Sequence, residues 1–283
     1  MIHQSIRIVL CMCLWICTEY LVGCKEKPTE PEAQGLLPEA PAGFRWRAVP
    51  QLSDEFSGDK LDASKWLDFH PYWQGREPSR FEPRNVVLSG GILRLLSVPL
   101  VENLGGIANP EKDVWVGSSC VSSRTASAST GYYEARFQAS DLSMTSSFWF
   151  QGKYSEIDVV EQLGRPVKNE WKRDFMMMNT HYYPGGWDTD KATPVQWKMP
   201  SGSSDGYHVY GVWWRDKETA WFYHEGEKVA EVQFGGEFSE PMFLFFDTEV
   251  FTWDGLPTIQ SLKDPARNAM LVDWVRAWVL AAE

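Results

Sequence analysis

The chain has 283 residues, 43% hydrophobic and 23% charged, with 27 Lys and Arg against 38 Asp and Glu for a net charge of -11. This is the composition of a globular protein, and an acidic balance without any clustered positive stretch excludes a nucleic-acid partner held through phosphates. Aromatic content is high at 14%, with 15 Trp, a residue type whose flat apolar face and polar handle suit interfaces and ring stacking.

In chain order, residues 1–23 read as a removable targeting segment. Arg7 sits in a short polar start, and the apolar run Ile8 to Cys17 is about half the ~20 residues a membrane span needs. Leu21-Val22-Gly23-Cys24 resembles the lipobox of bacterial lipoproteins, which implies cleavage before Cys24, lipidation of that cysteine and export to the cell envelope, at the outer membrane or cell surface. A plain signal peptide and a secreted product are the alternative. Residues 24–42 are rich in Pro and Glu without aromatics and read as a tether. Only Cys120 remains in the mature domain, so burial rather than a disulfide must hold the core.

From residue 43 to 283 the pattern predicts one all-β domain, expected to be monomeric. Apolar runs of β-branched and aromatic residues, punctuated by Gly, Pro, Asn and Asp, predict strands at Ile92–Val98, Gly131–Ala139, Ser147–Phe150, Glu156–Leu163, Tyr207–Arg215, Ala220–His224, Val229–Phe234, Met242–Val250 and Met270–Leu280. No amphipathic helix of three turns separates them, which disfavours parallel βαβ units and leaves an antiparallel sandwich.

Glu156-Ile157-Asp158-Val159-Val160-Glu161 places three acids in a segment that otherwise reads as a buried strand. Regular alternation would put Glu156 and Asp158 on one face and Glu161 on the other. A β-bulge at Val159-Val160 would absorb one residue and bring all three to the same face. The side chains could then close the two Glu carboxyls to ~5 Å, the gap of a retaining glycosidase. Like charges at that spacing push pKa values apart, so one carboxyl can attack while another donates a proton. A solvated acidic edge is the bland alternative, but Ile and Val neighbours and the aromatic strand Ser147–Phe150 argue against it.

The acid signature resembles that of glycoside hydrolase family 16. Further similar segments are Leu52–Phe56, Gly131–Arg136, Ser147–Trp149, Tyr207–Trp214 and Val272–Arg276. The resemblance implies a β-jelly-roll sandwich of two antiparallel sheets with a concave polysaccharide cleft and double-displacement hydrolysis. It also implies Glu156 as nucleophile, Glu161 as general acid/base and Asp158 as the group that orients Glu156.

Pro71–Pro78, Asn179–Tyr182 and Phe246–Trp253 are similar to the β-agarase and β-porphyranase branch, which implies a red algal galactan as the partner substrate. Trp73 and Trp149 can stack on pyranose rings. Arg76 can fork to a ring substituent such as a sulfate, or pair with Glu77 or another acid. His181 and Glu249 are expected to bind hydroxyls. A glycan-binding protein of the same fold without turnover, or a β-glucanase of the family, is the competing reading.

No cofactor is expected. The five histidines, His3, His70, His181, His208 and His224, form no H-E-x-x-H pair, so no metal ligands are assigned; a structural calcium, as in some relatives of the family, stays open. Gly202–Gly206 matches G-x-S-x-G but lies in a polar loop rather than in a strand-to-helix turn.

Overall fold

Successive side chains of a strand point to opposite faces, so alternating apolar and polar residues leave one face to bury. The computed structural model describes residues 37–283, and nearly all of their regular structure is strand. In chain order the strands are β1 (Phe44–Ala48), β2 (Trp66–Leu67), β3 (Ser79–Phe81), β4 (Val86–Ser89), β5 (Ile92–Leu96), β6 (Val98–Pro99), β7 (Val116–Ser118), β8 (Cys120–Ser123) and β9 (Gly131–Gln138). They continue as β10 (Thr145–Gln151), β11 (Ser155–Leu163), β12 (Phe175–Tyr182), β13 (Val195–Lys198), β14 (His208–Trp214), β15 (Thr219–His224), β16 (Glu227–Gln233), β17 (Phe243–Asp247) and β18 (Ala269–Ala282). The only α-helix among the described residues is Ile259–Lys263, and none is long and apolar enough to cross a membrane.

Two large antiparallel sheets face each other in a jelly-roll sandwich. One has eight strands, in the order β16-β15-β14-β9-β18-β5-β4 with β1 added on β18. The other has seven, in the order β13-β12-β11-β10-β17-β8-β2. A small third sheet, β3-β7-β6, contains the parallel pair β3–β7.

The inner faces alternate as the pattern requires. Phe148 and Phe150 of β10, Ile157 of β11 and Leu244 and Phe246 of β17 meet Tyr133, Ala135 and Phe137 of β9 and Tyr210 and Val212 of β14 in one core, all nearly inaccessible. Ser147, Trp149 and Gln151 of β10 therefore point the other way, onto the open face of the seven-stranded sheet.

Each expected strand is present with shifted ends. The expected Met242–Val250 closes at Asp247, and Ile92–Val98 breaks before Val98. The Phe175–Tyr182 strand was not among those expected: its Met176-Met177-Met178 run carries little β-propensity, and burial of Met176 and Met178 against the core supplies what propensity does not.

The targeting segment 1–23, Cys24 and most of the tether lie outside the described residues. Ordered contacts reach back before residue 43, because Leu37 packs on the Tyr132–Trp213 cluster and the Pro38 carbonyl accepts Trp46 Nε1–H at 2.7 Å. Cys120 is buried as a free thiol.

Candidate active site

The register of β10 on β11 decides where the acids point. Gln151 faces Glu156 and Trp149 faces Asp158; then the register shifts, so that Phe148 faces Val160 and Ser147 faces Glu161. Val159 is the extra residue, a β-bulge. Because Ser147, Trp149 and Gln151 share the open face, Glu161, Asp158 and Glu156 share it too. Ile157, Val159 and Val160 all go into the core at 0% exposure, and this apolar demand on both sides of Asp158 drives the irregular step.

The acids line a cavity of 530 Å³ together with His70, Tyr72, Trp73, Arg76, Ser147, Trp149, Gln151, Trp187, Asp247 and Glu249. Gln151 Nε2–H donates to Glu156 Oε2 at 2.7 Å. His181 Nε2 stands 3.4 Å from Asp158 Oδ2, while its Nδ1 meets Asp190 Oδ2 at 2.7 Å and Asn179 Nδ2 lies 2.8 Å from Nε2. On β17, Asp247 sits opposite Ser147, so it joins the same face, wholly buried.

Burial is the first cause of every carboxyl shift in this group. It raises Glu156 well above the carboxylate range, with the Asp158 charge adding and the Gln151 donor opposing. Asp158 is pushed up to about 8 by burial and then by Glu249. Glu161 reaches about 8 through burial and then Asp158. Asp247 rises well above its usual value by burial and then Glu249, and Glu249 rises by burial against the pull of Arg76. Burial and mutual crowding thus raise all five neighbouring carboxyls, and a trio with both ionised and protonated members can supply a nucleophile and an acid at once.

Arg76 is the one Lys or Arg lining this cavity. Its Nε donates to Glu249 Oε2 at 2.6 Å, not to Glu77, and its guanidinium lies 5.6 Å from the Trp73 ring, 5.2 Å from Phe251 and 5.6 Å from Trp253. Burial, the largest single cause, would lower its pKa, but the charge and hydrogen bond of Glu249 together with the charges of Glu161 and Asp247 outweigh it and raise the pKa. The two Nη groups carry no hydrogen bond among the described residues. Gly75 shapes the turn that delivers Arg76: at φ +107, a Cβ there would stand 3.1 Å from Phe81 N and 3.2 Å from Arg80 Cα.

The structure brings Trp73, Arg76, Trp149 and Glu249 to the cavity wall with the acid trio. Two expectations need correction. His181 is not a hydroxyl-binding wall residue: its nitrogens are taken by Asn179 and Asp190 and it lies behind Asp158. Trp149 is cleft floor rather than a free stacking platform, 7% exposed and stacked on Phe245 with centroids 4.5 Å apart.

Sequence reasoning missed Gln151, Asp190, His70 and Asp247. Asp247 alone carried a signal, an acid ending the apolar run Phe243-Leu244-Phe245-Phe246. His70 stacks on Phe245 at 4.4 Å, accepts Tyr72 N–H at Nδ1 and is lowered to about 4, chiefly by burial, so it is neutral.

Gly202–Gly206 forms a turn before β14, with Ser203 buried, and is no nucleophile elbow. Two side-chain donor groups come together among the described residues, Glu156/Asp158/His181 and His208/His224/Glu225. Neither offers the cage of six or more oxygens that calcium takes.

An antiparallel jelly roll with crowded carboxyls of mixed protonation in an open, aromatic-walled cleft defines a polysaccharide-cleaving glycosidase. The sequence profile of the β-porphyranase A–D domain of glycoside hydrolase family 16 matches residues 46–280, and the chain belongs to that family. It is a glycoside hydrolase. It is 33% identical over 281 residues to β-porphyranase B of Phocaeicola plebeius, covering 86% of this chain and 88% of the relative. It is 33% identical over 260 residues to β-porphyranase E of Zobellia galactanivorans, covering 85% and 90%. A solved β-porphyranase from the human gut bacterium Bacteroides plebeius superposes with a TM-score of 0.75 at 32% identity, covering 87% of this chain and 96% of that one.

Proposed function

We propose that the protein is an endo-acting, retaining hydrolase of β-1,4 galactosidic bonds in red algal galactan, with sulfated porphyran as its preferred substrate. The observation that carries the preference is Arg76. A guanidinium held at Nε by Glu249, framed by three aromatic rings and with both Nη groups unpaired, is built to fork onto an anionic ring substituent. Agarose, which lacks the sulfate, leaves that fork unused.

Glu161, holding its proton, donates it to the glycosidic oxygen as the bond to the anomeric carbon breaks. Glu156 attacks that carbon and forms a glycosyl ester. Asp158 and Glu156 are within hydrogen-bonding reach of each other; attack requires the proton between them to rest on Asp158, which leaves Glu156 ionised with the Gln151 donor beside it. In the second half, Glu161 as carboxylate takes a proton from water, which attacks the anomeric carbon and releases Glu156. The chemistry requires no metal or cofactor.

Lipidation of Cys24 would keep this activity at the cell surface, where a polymer too large to enter must be cut. Radiolabelled palmitate incorporated by the wild type and not by Cys24→Ala tests that part.

Incubation with porphyran and agarose in parallel, followed by product sizing, tests the function. Internal cleavage of porphyran, with agarose cut at least tenfold more slowly, is expected. Equal rates on both would remove the role given to Arg76, and no cleavage of either would leave a glycan-binding protein without turnover.

A further inference from the structure

Away from the cleft, His208 opens β14, His224 closes β15 and Glu225 follows in the turn to β16. One nitrogen of each histidine and one Glu225 oxygen lie within 4.8 Å of one another. His224 Nε2 stands 3.2 Å from His208 Nδ1, and Glu225 Oε1 stands 3.7 Å from the same nitrogen. Two ligands at ~2.05 Å on a tetrahedral ion are ~3.3 Å apart, so this is the spacing of donors around a zinc-sized ion.

The surroundings orient the donors inward. His208 Nε2 lies 3.2 Å from the Gly202 carbonyl, which places the His208 proton there and leaves Nδ1 as a lone pair facing the cluster. Glu225 Oε1 accepts Val209 N–H at 2.9 Å, and the Glu225 backbone N–H donates to the Val209 carbonyl at 2.9 Å. Glu225 itself sits at φ 51, a left-handed conformation that favours glycine or asparagine. An N–H···N bond accounts for the histidine pair, but it leaves the Glu225 carboxylate, carried by the positive-φ hairpin pair Glu225-Gly226, 3.7 Å from the same lone pair as a third donor. Both histidines are buried while Glu225 is exposed, so an ion can enter from the solvent side.

We propose that His208, His224 and Glu225 bind one divalent ion of the zinc class, which staples the start of β14 to the β15–β16 turn. Two imidazoles and one carboxylate suit zinc and not the all-oxygen preference of calcium or magnesium. The neutral tautomers with protons on His208 Nε2 and His224 Nδ1 present both lone pairs, and water completes the coordination. Since no donor belongs to the cavity that holds the acid trio, the ion acts on stability and not on bond cleavage.

The test strips the purified full chain with chelator, reloads it with zinc, and measures bound metal and thermal denaturation. One zinc per chain is expected, with Tm raised by roughly 5–10 °C at a hundredfold excess over Kd. Both effects disappear in His224→Phe and in Glu225→Gln; the latter is an exposed change that keeps an oxygen for Val209 N–H. Asp158→Asn, which alters the other donor group, retains the zinc. Zinc that is lost in Asp158→Asn but survives in His224→Phe and Glu225→Gln sits in the cleft and overturns the proposal. So does a wild type that binds no zinc stoichiometrically and shows no Tm rise, which leaves a histidine hydrogen bond only.

Discussion

The two sheets handle acidic side chains in opposite ways. On the outer side of the eight-stranded sheet, Asp273 meets Arg136 at 2.7 Å and Glu55 meets Arg276 at 2.8 and 3.1 Å. On the open face of the seven-stranded sheet, Glu156, Asp158, Glu161, Asp247 and Glu249 have one arginine among them, and Arg76 contacts only Glu249.

Glu134, on the eight-stranded sheet, marks the intermediate case. It is fully buried, accepts Tyr132 Oη–H at 3.2 Å and is pushed up to about 7 by burial. Burial alone therefore moves a carboxyl to neutrality, and crowding by other acids carries Asp158 and Glu161 further, to about 8. Acids matched to cations lock strands in place, whereas unmatched acids keep protons that a reaction can use.

Removing the acid that must ionise breaks the contrast most severely. Glu156→Gln should lower kcat/KM on porphyran by about 10³-fold or more, read as reducing-end release, because no group is left to form the ester. Next, the proton on Glu161 should set the basic limb of the wild-type profile: kcat/KM falls as pH rises through about 8. Glu161→Gln abolishes that limb and retains residual turnover only on substrates with a good leaving group.

Arg76→Ala sharpens the comparison by deleting the lone cation. A charge-assisted hydrogen bond contributes about 1.5–3 kcal/mol, so the porphyran rate should drop roughly 10- to 150-fold while the agarose rate changes little.

Stability gives the smaller effects. Asp158 and Glu161 have folded pKa values raised above their unfolded values, so the folded chain binds more protons between about pH 4 and 8. Their contribution is fully present below that window and is lost as pH rises through it. Tm should therefore fall between about pH 5 and 8, and less steeply in Asp158→Asn/Glu161→Gln, as thermal scans at each pH would show. Glu134→Gln should remove a smaller share of that slope, between about pH 4.5 and 7, since a single raised carboxyl supplies it.

Much of this site is legible in the chain because its key residues are neighbours there. Glu156, Asp158 and Glu161 lie within one strand, and the mismatch between their spacing and a period of two already demands a bulge, which falls at Val159. The partners of those acids are a different matter. Arg76 and Glu249 are 173 residues apart, and nothing near Arg76 distinguishes Glu249 from Glu77 as its acid. Gln151 looks like any polar residue at a strand end until the register sets it opposite Glu156. His181 reads as a hydroxyl-binding residue, and only the β11–β12 pairing puts it behind the trio.

What the sequence determined by itself is the set of features with short range: strand alternation, the acid trio, the extra residue between its members and the family signature. These follow from φ/ψ periodicity and local burial, which operate over a few residues. The tertiary structure alone decided which carboxyls share protons, which acid holds Arg76, and that three donors converge between β14 and the β15–β16 turn. Electrostatic coupling and coordination depend on distances of a few ångströms between strands remote in sequence, and those distances exist only once the sheets have paired and packed.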